Sequence, residues 1–518
     1  MHSVLSYSLL LFPIILGFGG WFQEKHFFSD SQKNSAVKIT AILLVLTTIT
    51  LSITYTIEPA YFVGPWFALT PVKLLMLLMV IFMTITLIKF SARYLQTEKN
   101  VDRYWRWLLL SLASVSIVIL SNHLLLFWLG WVAISLCFHR LLLFYPDRPR
   151  AVLAAHKKFI LARVAELLLL AAFIILYWSH DTLQISSLFA HYQQLISSGS
   201  ELGMADKVAA VLIAFTALIK CAQLPVHGWL IQVVEAPTPI SALLHAGIIN
   251  LGGFLLISFA PLISLAKAAQ WLLLILAGIS LFISALVMMT RISVKVRLAW
   301  STCAQMGLML IECALGLYEI ALLHLFTHSL YKAYAFLSSG DALQGYHLAQ
   351  FSKPKKLGMT SAFITLFIAI ISLTIVVFIS RDVTPISIWL LVSLSFAMYF
   401  TTAIKKLFSK DVLFAVITVS VLLSFYWLGK SLVAYLVPEM PQAMMFSTMD
   451  IWITVVFISL YFTSIALSMY PNAALTKTLS RWFFSGLYLD ESMTRLTLIL
   501  WPVRLRNNAH RHPARHTQ

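Results

Sequence analysis

Apolar runs about as long as a bilayer is thick recur from one end of this chain to the other, divided by short breaks rich in charge, proline or glycine. Crossing roughly 30 Å of hydrocarbon takes about 20 apolar residues of helix. The pattern predicts an all-α polytopic membrane protein with about fifteen crossings. They fall at 4–21, 37–57, 71–90, 107–121, 123–144, 158–178, 206–235, 239–259, 269–290, 298–316, 318–339, 358–380, 386–404, 412–429 and 450–470. The first run, Val4 to Gly20, has no basic flank and no A-x-A cleavage site, so it is read as a retained crossing rather than a signal peptide. The seventh is too long for one straight crossing. It holds Pro225, which lacks a backbone donor and predicts a helix break near Cys221.

Composition agrees. Of 518 residues, 60% are apolar and 11% charged, with a mean hydropathy of +0.88, too little charge to clothe a soluble fold of this size. The formal charge of +17 would suggest nucleic acid in a soluble protein; here its distribution gives a different reading. The clusters Arg93/Lys99/Arg103/Arg106, Arg140/Arg148/Arg150/Lys157/Lys158, Arg291/Lys295/Arg297, Lys353/Lys355/Lys356 and Lys405/Lys406/Lys410 all follow odd-numbered crossings. All therefore share one side, which the positive-inside rule makes cytoplasmic. The expected topology has the N-terminus outside the inner membrane and the C-terminal tail inside. Four parts are expected: N-terminal crossings at 1–106, a core at 107–405, C-terminal crossings at 406–475, and a tail at 476–518. Within the tail, Ser480–Arg506 is amphipathic and suits an interfacial helix that braces the bundle or docks a partner.

The cysteines Cys137, Cys221, Cys303 and Cys313 lie in apolar segments without disulfide or metal spacing and read as packing residues. Nucleotide loops and iron–sulfur cysteine runs are missing from the sequence, and no cofactor is expected.

An ionisable side chain at mid-bilayer costs about 2.5–3.5 kcal/mol on insertion scales, which makes each one a functional candidate. The crossings carry Glu166, Lys220, His245, Glu312, His324, His328 and Lys332, with Arg381 and Asp382 ending the twelfth. Lys220 precedes Pro225 by one to two turns, where a broken helix would free backbone carbonyls toward it, as at ion sites on discontinuous helices. Lysine loses its proton readily when buried, and Glu166 on the preceding crossing is the candidate acid beside it. His324, His328 and Lys332 recur every fourth residue on one helical face. Two histidines at that spacing could ligate zinc, but no third ligand accompanies them, so a proton relay is the preferred reading. Arg381-x3-Pro385-x3-Trp389 echoes Lys220-x4-Pro225-x3-Trp229 from a crossing of opposite direction, a hint of inverted duplication.

The run from Lys220 to Ala246, with Glu235, Pro237 and Pro239 in its E-A-P-T-P motif, resembles the signature of the antiporter-like membrane subunits. These are the large proton-pumping subunits of complex I, Mrp cation/proton antiporters and membrane-bound hydrogenases. Ala299–Gly340 resembles the family's histidine/lysine segment, and Arg163-Val-Ala-Glu166 its sixth helix. The resemblance covers roughly residues 60–400. It implies two inverted five-helix repeats, a broken-helix lysine, and an ion path through Lys220, His245, His324, His328 and Lys332. Two departures stand out. Val132 occupies the place of the family glutamate that pairs with the lysine, and Ser380-Arg381-Asp382 replaces Ser-Lys-Asp-Glu.

With a C-terminus lacking the long lateral helix, this combination resembles the DabB family of inorganic-carbon accumulation complexes. That resemblance implies a cation-translocating subunit without an active site of its own. Its partner would be a DabA-like soluble zinc protein resembling β-carbonic anhydrases, which hydrates carbon dioxide to bicarbonate. A complex I or hydrogenase pumping subunit and a free-standing Mrp-type antiporter are the alternatives.

Overall fold

The computed structural model describes residues 4–23, 29–57, 59–98, 100–341, 367, 371, 385–403, 410–436, 441 and 447–502. Among them the protein is built of helices, joined by loops with a few isolated β-bridges. Nine of the described helices are long and apolar enough to cross a membrane, and Ser6–Phe22 and Ile386–Phe396 are shorter apolar ones. Met204–Lys220 is cut short by a break, while Val294–Ala314 and Tyr318–Leu337 carry ionisable side chains. The predicted crossing at 358–380 lies outside the described residues, as do Arg381 and Asp382.

Several helices overrun their predicted ends. Pro149–His180 begins with a proline in its first turn, where the missing N–H costs no hydrogen bond, so the basic stretch through Lys158 is helical. Ile185–Ser198 was not predicted as an element: only Ile185, Leu188 and Tyr192 of it are buried, a stripe too narrow to stand out among its polar residues. It is seated by Asn122, whose Oδ1 accepts from the Ser186 N–H at 2.9 Å while its Nδ2 donates to the Gly64 carbonyl at 2.7 Å.

The centre of the bundle is built from tightly associated helices: Lys267–Met289 with Val294–Ala314, Pro149–His180 with Met204–Lys220, and Val101–Leu120 with Leu124–Leu142. Small residues permit close approach. A Cβ on Gly252 would meet the Ala217 carbonyl at 3.0 Å and the Cys221 sulfur, so Leu251–Ser258 can lie directly on Met204–Lys220 only with glycine there. At the periphery Ile42, Leu46, Ile49 and Ile53 stay exposed along one face of Asp30–Ile57, the surface that lipid would cover. Asp450, buried at the start of Thr448–Met469, accepts from the N–H groups of Ile386 and Ser387 at 2.9 Å each. It thereby caps the neighbouring helix Ile386–Ala403 with a negative charge at its positive end.

Candidate functional site

The Met204–Lys220 helix stops at Lys220, and the chain unwinds through 221–227 before Gly228–Gln232 resumes. Backbone groups released by such a break must find partners inside a membrane. They are supplied by side chains. Gln223 Nε2 donates to the carbonyls of Cys221 at 2.9 Å and Cys303 at 3.3 Å, Cys303 Sγ donates to the Ala222 carbonyl at 3.2 Å, and the Leu224 N–H reaches Ser280 Oγ at 3.0 Å. The expectation that freed carbonyls turn toward Lys220 therefore needs correcting at Cys221 and Ala222, whose carbonyls are held by Gln223 and Cys303.

Lys220 is buried, and among the described residues its ammonium makes no hydrogen bond and no ion pair. Its Nζ lies 4.7 Å from the centroid of the Trp131 ring. Glu166 is engaged elsewhere: Ser135 Oγ donates to its Oε1 at 2.5 Å and Arg163 Nη2 donates at 2.8 Å. Arg163 also donates to Ser135 Oγ, and Lys158 Nζ donates to the Ser135 carbonyl at 2.9 Å. Lys220 is within electrostatic reach of Glu166, Arg163 and Lys158. The site thus gathers three cations around one carboxylate. Lys158, Arg163, Ser135 and Trp131 were not identified as site residues from the sequence. The three-residue spacing of Arg163 and Glu166 was a legible signal; Lys158 was hidden because its helix was expected to begin there.

The second group lies along Tyr318–Leu337. His324 Nδ1 is 2.9 Å from Glu312 Oε2 and its Nε2 2.9 Å from Gln305 Oε1, so the face bearing the histidines also holds an acid. His328 is buried, with neither ring nitrogen hydrogen-bonded, and its ring lies 6.0 Å from that of His324. Lys332, fully buried, donates to the Leu298 carbonyl at 3.0 Å and to Ser301 Oγ. His245 stacks on Phe336 at 4.3 Å, with its Nδ1 3.2 Å from Thr302 Oγ1 and its Nε2 unpaired. His245, His328 and Lys332 lie within electrostatic reach of one another. Just past His245 the helix is interrupted again, at the turn Ile248–Asn250, where Asn250 Nδ2 bridges the Ala246 carbonyl at 3.0 Å and Ser329 Oγ at 2.7 Å. This second break has no proline to announce it. Among the described residues no hydrogen bond joins the ionisable groups of the two clusters, and no group of three metal-ligating side chains could hold an ion.

Glu235, Pro237 and Pro239 form a support. Pro237 precedes and Pro239 opens the Thr238–Ala246 helix, while Arg148 donates to the Glu235 carbonyl at 3.3 Å and Arg150 lies 3.9 Å from its carboxylate.

Broken helices, buried lysines and a histidine face have known counterparts. A family model described as NADH:quinone oxidoreductase/Mrp antiporter, transmembrane, matches residues 121–405. A protein of Hydrogenovibrio crunogenus, named probable inorganic carbon transporter subunit DabB, is 46% identical over 448 residues, 85% of each chain. The chain belongs to the DabB family. A second relative, named DabB2, from Halothiobacillus neapolitanus, is 40% identical over 291 residues, 56% of this chain and 52% of its own. Among solved structures, the Mrp complex from a Dietzia species superposes on 94% of this chain and 60% of its own with a TM-score of 0.63 at 17% identity. A membrane-bound sulfane sulfur reductase from an archaeal respiratory complex covers 95% and 100% with a TM-score of 0.59 at 16% identity. These two likenesses establish that the DabB-family chain has the antiporter-like fold, as the sequence predicted.

Proposed function

We propose that this chain is the proton-translocating membrane subunit of an inorganic-carbon accumulation complex in a bacterial inner membrane. The observation that carries the reading is the pair of buried clusters, Lys220 with Glu166, and His245, His328 and Lys332 with His324 and Glu312, inside a broken-helix fold. The choice of proton over sodium follows from ligand chemistry. Hard cations take several oxygen ligands, yet the carboxylate of each cluster is engaged, Glu166 by Arg163 and Glu312 by His324. What remains are amines and imidazoles, which carry protons.

On this reading Lys220 alternates between protonated and neutral forms at the break, and the histidine/lysine group relays the proton onward. Arg381 and Asp382 would complete the path in the second repeat. The N-terminus faces outward and the tail the cytoplasm, where a DabA-like zinc protein would dock. Carbon dioxide hydration belongs to that partner, and this chain feeds the cation gradient into it rather than carrying an active site.

Lys220→Ala tests the proposal in cells carrying the whole complex. Bicarbonate accumulation should be abolished while the membrane level of the protein and its co-purification with the complex stay unchanged. Normal accumulation in a correctly inserted Lys220→Ala strain would sink it.

A further inference from the structure

The C-terminal segment returns to the bundle and is fastened to it at both ends. After Thr448–Met469, the helix Ala474–Phe484 packs against Lys267–Met289 and Glu491–Leu500 against Pro149–His180. The Arg291 guanidinium donates to the carbonyls of Phe484 at 2.9 Å and Phe483 at 3.3 Å. Beyond the second helix, the Trp501 indole stacks on His156 at 3.9 Å with the rings 10° from parallel. Between these anchors Asp490 points into the protein.

Asp490 Oδ2 accepts from Lys157 Nζ at 2.6 Å and from Gln232 Nε2 at 2.9 Å. The Lys157 side chain is only 1% exposed. The carboxylate lies so close to the backbone at the start of the half-helix that a Cβ on Gly228 would overlap it. Glycine at 228 is therefore what admits Asp490. Buried polar atoms without a hydrogen-bond partner here include Asp490 Oδ1, Gln232 Oε1, Arg291 Nε and the Nδ1 of His227, whose ring is within electrostatic reach of Asp490, Lys157 and Arg291.

A strap needed only for adhesion is poorly served by this chemistry. Burying a charge pair gains little over apolar packing of the same volume, and an unpaired buried polar atom costs free energy. A carboxylate oxygen and an imidazole nitrogen left without fixed partners are suited to accept and release protons.

We propose that Asp490 is the proton-collecting acid at this end of the path, carried on the strap to the mouth of the broken helix. The carboxylate, whose side chain is 26% exposed, takes a proton from water, Oδ1 passes it to His227 Nδ1, and the imidazole gives up one proton on its far side toward the unwound segment and Lys220. Asp490 ends as it began and His227 ends neutral as its other tautomer, which a rotation of the ring resets, with one proton moved inward. This rests on the proton-translocating reading.

The test measures proton flux in proteoliposomes containing the purified complete complex. Asp490→Asn keeps the shape and the hydrogen bonds to Lys157 and Gln232, and should lower flux about tenfold or more. Asp490→Asn combined with Lys157→Gln removes both charges, so a merely structural ion pair would be relieved; flux should stay low. His227→Gln leaves the ion pair intact and should lose flux as well. Wild-type flux in Asp490→Asn, restored flux in the double variant, or wild-type flux in His227→Gln each overturns the proposal. Lys220→Ala separates the two levels. If it abolishes flux while the Asp490 variants are normal, only the strap proposal fails; if it too is normal, the underlying reading fails.

Discussion

The Lys220 ammonium rests 4.7 Å from the ring centroid of Trp131, the residue directly before Val132. In the antiporter-like subunits that this sequence resembles, the position of Val132 holds the acid expected to pair with the broken-helix lysine. Here the aromatic face takes up part of that role. An indole face attracts a desolvated cation by roughly 2 kcal/mol, less than a buried carboxylate would. On the proton-translocating reading, so weak a hold leaves Lys220 free to give up its proton.

Substitution at Trp131 should follow the strength of the ring. Trp131→Phe, with a weaker quadrupole, should reduce proton flux several-fold, and Trp131→Leu, which removes the ring together with part of the apolar volume, should reduce it further. Flux assays on membrane-inserted protein check the order. Equal, near-normal flux in both variants would show that the indole only fills space.

The charge imbalance around Glu166 makes a second expectation. Lys158, Arg163 and Lys220 share one carboxylate, so an added acid should be tolerated where an added base is not. Val132→Glu should insert and keep a Tm in detergent within a few degrees of wild type, whereas Val132→Lys should lower the Tm clearly or prevent accumulation, since like charges raise the cost of a buried ion. Thermal melts of the two variants side by side decide it, and equal behaviour counts against a net positive site.

Much of this was legible in the sequence. Apolar length gave the crossings, Pro225 the first break, and four-residue spacing the shared face of His324, His328 and Lys332. The parts that were hidden depend on contacts distant in the chain. Nothing local marks Asn250 as the staple of a second break; its partner Ser329 lies on another helix. Trp131 reads as one more apolar residue until Lys220 is set beneath it. Asp490 sits in a tail whose amphipathic pattern predicted a helix that braces the bundle or docks a partner, but its pairing with the buried Lys157 is a tertiary fact.

Glu312 and His324 should behave as a coupled pair, being 2.9 Å apart with the glutamate side chain 5% exposed. Glu312→Gln and His324→Gln should each destabilise the protein, and the double variant by less than their sum, with an interaction free energy of about 0.5–3 kcal/mol. Denaturation of all four proteins in one detergent supplies the cycle. Strict additivity would mean that the contact contributes nothing.

Lys332 distinguishes stability from function most sharply. It is fully buried, and its ammonium donates to the Leu298 carbonyl and Ser301 Oγ and lies 5.8 Å from the centroid of the Tyr331 ring, with His245 and His328 nearby. Among the described residues no carboxylate pairs with it, so the site is unfavourable for an ammonium group, and on the proton-translocating reading the charge serves the path rather than the fold. Lys332→Met preserves most of the side-chain volume, removes the charge, and leaves behind a carbonyl and a hydroxyl that already have helical partners: Leu298 accepts from Thr302 Oγ1, and Ser301 Oγ donates to the Leu298 carbonyl. The expected outcome is a Tm equal to or above wild type together with loss of proton flux. A variant that loses stability and flux in parallel would make Lys332 a structural element, and one that keeps its flux would remove it from the path.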